Sequence, residues 1–153
     1  MRYLELKIPP VALFIVAVVL CNRLAHLFSF ADLALPYTKL IVALCIMLSG
    51  VVGISAVVQF RRANTTVNPT KPDQASTVVD SGIFNYSRNP MYLALLLLLI
   101  GIAYWHHNIV SLLVVIGFVG YMNRFQIQPE ERVLERVFGE RYTHYKARVR
   151  RWI

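Results

Sequence analysis

The side chains best suited to chemistry lie in two short segments of this chain. In the first, the guanidinium of Arg88 can bind a carboxylate, and the rings of Phe84 and Tyr92 can border a planar group. In the second, the carboxylate of Glu130 can bind an ammonium or a hydroxyl group. Three of these residues also have a simpler structural explanation. Glu130 can be an acid at a helix start, and Arg88 and Tyr92 can be residues at a membrane interface.

The histidines are poorly placed for a metal site or for proton transfer. His106 and His107 are adjacent in the sequence, so their side chains point apart, and no carboxylate or thiol lies beside them. His26 is predicted in the outer part of a first helix and His144 on a surface tail. The sequence therefore predicts no metal site and identifies no general base.

The elements that must position these residues are predicted to be membrane helices. The 153-residue chain is 57% hydrophobic with a mean hydropathy of +0.53, which is too apolar for an ordinary soluble domain. The predicted spans are residues 10–28, 37–60, 90–105 and 109–125, and a re-entrant hairpin is the alternative for the last two. The predicted fold is a single all-α integral membrane domain over residues 1–153, with four transmembrane helices, a cytosolic loop and C-terminal amphipathic helices in a tail at 126–153.

The basic residues indicate how the chain is oriented. A net charge of +8 would suggest nucleic acid only if these residues formed one face of a soluble fold. Of the sixteen, two lie in the first ten residues, four in 61–89 and eight in 124–151. Four spans place these fourteen on one side, which the positive-inside rule assigns to the cytosol. We therefore expect a multi-pass protein of a bacterial inner membrane with both termini cytosolic and no nucleic-acid partner.

The segments outside the predicted spans contain apolar and helix-forming patterns that simple connecting loops do not need. The loop at 61–90 is long enough to suggest a function, and its part at 78–84 is apolar enough to pack. After residue 125, Pro129 can open a helix and Gly139 can end it. A second helix is predicted at about 141–152, and its pattern is typical of a basic amphipathic helix on an anionic membrane surface.

Two motifs in these segments resemble those of the isoprenylcysteine carboxyl methyltransferase family. The first is Ser81-Gly82-Ile83-Phe84-Asn85-Tyr86-Ser87-Arg88-Asn89-Pro90-Met91-Tyr92-Leu93-Ala94, at the entry to an apolar helix. The second comprises Glu130-Glu131, Leu134, Phe138-Gly139, Tyr142, Tyr145 and Val149, all at the family's spacings. With the helix hairpin between them, the two motifs cover about residues 65–152.

The resemblance implies an integral membrane methyltransferase that uses S-adenosylmethionine. Its cofactor-binding candidates here are Val78, Val79, Phe84, Asn89, Tyr92 and Glu130, to which the chemistry of Arg88 adds a group for the cofactor carboxylate. On the substrate side, Gln126 stands where eukaryotic members have an arginine, and Arg124 is the candidate substitute. Two positions depart from the family motif, because Asn89 replaces a histidine and Phe84 a tyrosine.

The implied chemistry requires no nucleophile from the protein, since the cofactor itself activates the methyl group. The protein has to align the acceptor with the methyl group and keep water away. We expect a lipophilic small molecule or a lipid-modified acceptor that enters sideways between short helices, with membrane lipids as the surrounding partners.

Two other classes of function remain open on the sequence. Some membrane sterol and steroid reductases resemble this fold and bind a nicotinamide cofactor, so an NAD(P)H-dependent reductase is one alternative. A non-enzymatic four-helix membrane protein, such as a small-molecule exporter or an assembly subunit, is the other. Proton-driven exporters of this size need a membrane carboxylate, and no Asp or Glu lies in the predicted spans.

Overall fold

A computed structural model describes residues 4–63 and 77–153, and it is helical throughout these two ranges apart from turns and short extended segments. The helices are α1 (Pro10–Leu27), α2 (Thr38–Arg62), α3 (Pro90–Trp105), α4 (Ile109–Tyr121), α5 (Gln128–Phe138) and α6 (Glu140–Arg148). Short 3₁₀ turns occupy Ser29–Ala31 and Gly82–Asn85, and a π-helical segment, Met122–Ile127, joins α4 to α5. The described residues contain no β-strand, which confirms the all-α prediction. Residues 64–76 of the loop predicted at 61–90 lie outside the described residues, so the suggested function of that segment stays a prediction.

Three helices are long and apolar enough to cross a membrane: α1, α2 and the continuous helix Ile109–Phe138. The helix α3 is equally apolar but has only 16 residues, about 24 Å at 1.5 Å per residue. Large apolar side chains such as Ile15, Val51 and Ile116 remain exposed on these helices. Exposed apolar surface on this scale suits a lipid environment.

The short helix α3 lies in the middle of the bundle and packs against α1, α2 and α4. Its side chains Leu99 and Ala103 are completely buried. Gly101 allows close approach to α2, since a Cβ atom there would lie 3.0 Å from the Cβ of Cys45. Ser49 strengthens the same contact by donating a hydrogen bond to the carbonyl of Ala94 at 2.8 Å.

The turn at residues 106–108 makes α3 and α4 a hairpin, as the sequence predicts. Asn108 is completely buried; its Nδ2 donates to the carbonyl of Phe28 and to Asp32 Oδ1, each at 2.8 Å. Its Oδ1 accepts from the backbone N–H of Val110 and so caps α4. The hairpin turn is thereby fastened to the connection between α1 and α2.

The last predicted span and the tail helix predicted from Pro129 form one continuous helix that ends at Phe138. Pro129 has no N–H to offer the carbonyl of Phe125 four residues earlier. The chain widens into the π-helical segment there, and the backbone N–H of Leu6 donates to the Phe125 carbonyl instead, at 3.0 Å. A contact from the other end of the chain thus satisfies the carbonyl, and the helix does not need to stop.

The last helix also differs from its prediction. It ends at Arg148 rather than near residue 152, and Val149 is extended. The apolar side of α6 does not face a membrane surface: Tyr142, Tyr145 and Val149 are buried against Val78 and Phe84. An amphipathic pattern shows that one side will be covered, but it does not say whether by lipid or by protein.

Candidate functional site

A cavity of about 440 Å³ lies where the start of α3, residues 77–84, α5 and α6 meet the start of α1. It is lined by all seven residues proposed above for the cofactor: Val78, Val79, Phe84, Arg88, Asn89, Tyr92 and Glu130. Six of these residues lie within residues 78–92, and Glu130 lies 38 positions after the last of them. The fold therefore brings the candidate cofactor residues together.

The entry to α3 is shaped by a tight turn and a proline. Gly82 has a φ of +59°, and a Cβ atom there would collide with the side chain of Gln59. The turn places Phe84 in the interior, where its ring meets that of Phe60 edge to face at a centroid distance of 5.1 Å. Pro90 then begins α3 as its first residue, where the missing N–H costs no hydrogen bond.

A carboxylate with two neutral donors forms one side of the cavity. Tyr92 OH and Gln126 Nε2 both donate to Glu130 Oε1, each at 2.5 Å. Gln126 Nε2 also lies 3.4 Å from Tyr92 OH. Glu130 also lines the cavity, so these two donors hold a cavity carboxylate in a fixed position.

A buried ion-pair network around Glu131 also borders the cavity. Glu131 is 5% exposed, and its carboxylate is bound by Arg88 Nη2 at 2.8 Å and by Arg151 Nη2 at 2.7 Å. The hydrogen bonds to Glu131 raise the pKa of Arg151, so this guanidinium stays charged. Lys146 Nζ lies 3.9 Å from the same carboxylate. Three cationic side chains therefore surround this buried carboxylate.

Two tyrosines of α6 complete the wall. Tyr145 OH donates to the carbonyl of Phe84 at 2.8 Å, and Tyr142 lines the cavity beside it. Burial raises the pKa of both hydroxyls above the usual value for tyrosine. Both therefore remain protonated and act as neutral donors and as aromatic surface, rather than as bases.

The two substrate-side candidates are placed differently. Gln126 is 2% exposed and is bonded to Glu130, so it supports the cavity from behind. Arg124 is not among the cavity residues; its guanidinium lies over the Phe125 ring and pairs with Glu5 at 3.1 Å. The structure therefore joins Gln126 to the site and leaves Arg124 outside it.

Several lining residues were not among the sequence candidates. Glu131, Leu134, Tyr142 and Tyr145 belong to the second motif, so their spacing was the signal that could have identified them. Pro9, Pro10 and Val11, at the start of α1, also line the cavity. No motif marked this part of the chain, because its apolar pattern is that of any membrane helix.

Comparison with known proteins agrees with this geometry. The model of a family described as phospholipid methyltransferase matches residues 37–141, more than half of the chain. The chain is also 48% identical over 63 residues to an uncharacterized protein of Haemophilus influenzae, a match that covers 41% of this chain and 100% of that protein. No solved structure matches the chain.

The matched region contains the entry to α3, the helix hairpin and the Glu130-Glu131 pair, and with them most of the residues that line the cavity. Methyltransferases of this family generally take their methyl group from S-adenosylmethionine. The resemblance found in the sequence is confirmed, and this chain belongs to the phospholipid methyltransferase family of membrane methyltransferases.

Proposed function

We propose that this protein is an S-adenosylmethionine-dependent methyltransferase that acts at the membrane on a lipophilic acceptor and binds the cofactor in the cavity beside α3. The observation that carries the proposal is that the six residues implied by the family resemblance and Arg88 all line that one cavity. Family membership supports the methyltransferase class, and the cavity supports the cofactor. At about 440 Å³ its volume falls within the range of roughly 300–1,000 Å³ typical of small-molecule sites.

The residues present suit the groups of S-adenosylmethionine. Arg88 provides a guanidinium for the carboxylate of its amino-acid end. Glu130 provides an acceptor for its ammonium or for a ribose hydroxyl. Val78, Val79 and Phe84 provide an apolar wall against which the adenine can lie.

The departures from the family motif leave these roles in place. Asn89 donates through Nδ2 to the carbonyl of Arg151 at 2.9 Å, so this amide holds the chain terminus rather than reaching freely into the cavity. Phe84 cannot donate a hydrogen bond, but its backbone carbonyl accepts from Tyr145 and its ring packs on Phe60. Both positions act here chiefly by shaping the wall.

The chain's own contribution to the reaction is binding, orientation and the exclusion of water. When bound, S-adenosylmethionine supplies a methyl group that is already activated by its sulfonium charge. Glu130, held by Tyr92 and Gln126, keeps its acceptor oxygen at a fixed point, and the apolar wall removes water from around the cofactor. An acceptor carboxylate would need no base, whereas an amine or thiol would have to arrive deprotonated.

The acceptor is proposed to come from the lipid. Val11, on the rim of the cavity, is 57% exposed and stands on the lipid-facing start of α1. We further propose four membrane spans in one domain, with both termini on the cytosolic face of a bacterial inner membrane. A polar cofactor would then reach the cavity from the cytosol, and a lipophilic acceptor from the bilayer.

A titration of purified protein in lipid nanodiscs tests the proposal. We expect S-adenosylhomocysteine to bind with a measurable heat and NADPH to give none. Binding of NADPH alone would overturn the methyltransferase proposal in favour of a reductase. Absence of binding by both compounds would instead favour a non-enzymatic membrane protein.

The acceptor can be found in the same system. The protein is incubated with methyl-labelled S-adenosylmethionine and a total membrane extract, and the labelled product is identified after lipid extraction. We expect the label in the organic phase. Label recovered only in water-soluble molecules would contradict a lipophilic acceptor.

A further inference from the structure

The four residues after α6 form a structural element of their own, which we call the C-terminal strap (Val149–Trp152). Its backbone runs along the entry to α3, where the N–H of Arg88 donates to the carbonyl of Arg150 at 3.0 Å. The next carbonyl, that of Arg151, accepts from Asn89 Nδ2 at 2.9 Å. Trp152 Nε1 then donates to Asn123 Oδ1 at 3.0 Å. The strap is thus bonded to two cavity residues at the entry to α3 and to the π-helical segment that follows α4.

The side chain of Arg151 continues the connection. It binds Glu131 with two nitrogens, Nη2 to Oε2 at 2.7 Å and Nε to Oε1 at 3.1 Å. Glu131 Oε1 is shared with Arg88 Nη2 at 2.8 Å. A two-point bond between a guanidinium and a carboxylate fixes orientation as well as distance. Arg151 therefore sets the direction in which Glu131 meets Arg88.

Arg88 is held from several directions while it lines the cavity. Its Nη1 donates to the carbonyl of Lys146 at 3.0 Å, its Nη2 to Glu131, and its backbone N–H to Arg150. Its side chain is only 7% exposed, and a guanidinium has few orientations in so closed a space. The two side-chain bonds use two of the five N–H donors of a guanidinium. Arg88 can therefore be held in place and still donate to a ligand.

We propose that the C-terminal strap is a positioning element of the cofactor site, in which Arg151 acts through Glu131 to orient Arg88 toward the carboxylate end of the cofactor. Arg151 does not line the cavity, so it is a positioning residue and has no direct contact with the ligand. The proposal rests on the proposed function, because it assigns a role to residues around the same site. It adds that the last residues of the chain determine the cofactor affinity.

A purely structural strap would behave differently. Its loss would lower the melting temperature, but the protein that stayed folded would bind the cofactor with unchanged affinity. A positioning strap changes the dissociation constant of folded protein, and it raises the KM for S-adenosylmethionine more than it lowers kcat. The two roles are therefore separated by binding measured well below the melting temperature.

The experiment compares matched variants of the full-length protein in nanodiscs, titrated with S-adenosylhomocysteine. We expect Arg151→Ala to raise the dissociation constant about tenfold, as is typical when a hydrogen bond to a charged group is lost, and Arg151→Lys to recover part of the affinity. Arg150→Ala is the control, since its side chain is exposed and its carbonyl is retained. Deletion of residues 149–153 should abolish binding, whereas deletion of Ile153 alone, 74% exposed, should not.

The outcomes separate the two proposals. If the wild-type protein binds and folded Arg151→Ala binds with equal affinity, the strap proposal is overturned and the methyltransferase proposal stands. If the wild-type protein itself does not bind S-adenosylhomocysteine, both fall together. Should the deletion of residues 149–153 prevent folding, the comparison of Arg151→Ala with Arg151→Lys still decides the question.

Discussion

Glu130 receives two neutral donors on a single oxygen, and this arrangement defines its chemistry. Tyr92 and Gln126 together hold the carboxylate without neutralising it, unlike the cations that surround Glu131. Two adjacent acids in the sequence are therefore assigned different tasks by their partners. Glu130 is available to a positively charged or hydroxyl-bearing ligand, and Glu131 is committed to the protein.

The substitution Glu130→Gln should weaken S-adenosylhomocysteine binding about tenfold or more, because an amide cannot carry a negative charge and offers the ligand one acceptor oxygen instead of two. Isothermal titration in nanodiscs measures the change. Glu140→Gln is the matched control, since Glu140 is an exposed acid at the start of α6. An unchanged dissociation constant in Glu130→Gln would show that this carboxylate does not contact the cofactor.

At the residue scale, part of the candidate site was predictable. The seven cofactor candidates all line the cavity. They could be found because residues that bind one ligand keep a characteristic spacing in the sequence. The role of Asn89 was not predictable, since its amide bonds to Arg151 sixty-two positions later. The sequence also does not show which carboxylate of the Glu130-Glu131 pair is bound by cations, because that depends on partners from the entry to α3 and the strap.

Among the elements, the short helix α3 depends on the small residues that let α2 approach it. Gly101→Ala places a Cβ atom 3.0 Å from the Cβ of Cys45, and the two backbones must separate to relieve the contact. We expect a loss of about 1–3 kcal/mol in the free energy of unfolding, the usual cost of overpacking. Denaturant unfolding in detergent micelles measures it.

Gly117→Ala is the control for this substitution. A Cβ atom at Gly117 would meet nothing within 4 Å, so only helix propensity changes, which favours alanine by about 1 kcal/mol. Gly117→Ala should therefore be neutral or stabilising. Equal losses in both variants would mean that the α2–α3 contact is not sensitive to this spacing.

Some boundaries of the helices were predicted correctly and others were not, and the difference is whether neighbouring residues alone determine the boundary. Pro90 at the start of α3 and the turn at 106–108 are signals contained in a few consecutive residues, and both were interpreted correctly. The continuation past residue 125 depends on Leu6, and the end of α6 at Arg148 depends on the entry to α3. Boundaries that depend on distant partners cannot be read from a local pattern.

For the whole molecule, the proposed four spans make a definite prediction about sidedness. We expect Ile153→Cys to react with a membrane-impermeant maleimide only in inverted vesicles, and Ala34→Cys, in the connection between α1 and α2, only in right-side-out ones. The native Cys21 and Cys45 are buried, so they give little background. Labelling of both positions from the same side would contradict four spans.

The bond between Leu6 and Phe125 bears on how the protein is made. Nearby, Glu5 pairs with Arg124, 119 residues later, and with Arg132, 127 residues later. A ribosome therefore adds at least 119 further residues before Glu5 and Leu6 can find these partners. Because Pro9 and Pro10 follow directly and line the cavity, a chain that stops before residue 124 lacks the contacts that hold this edge of the ligand site.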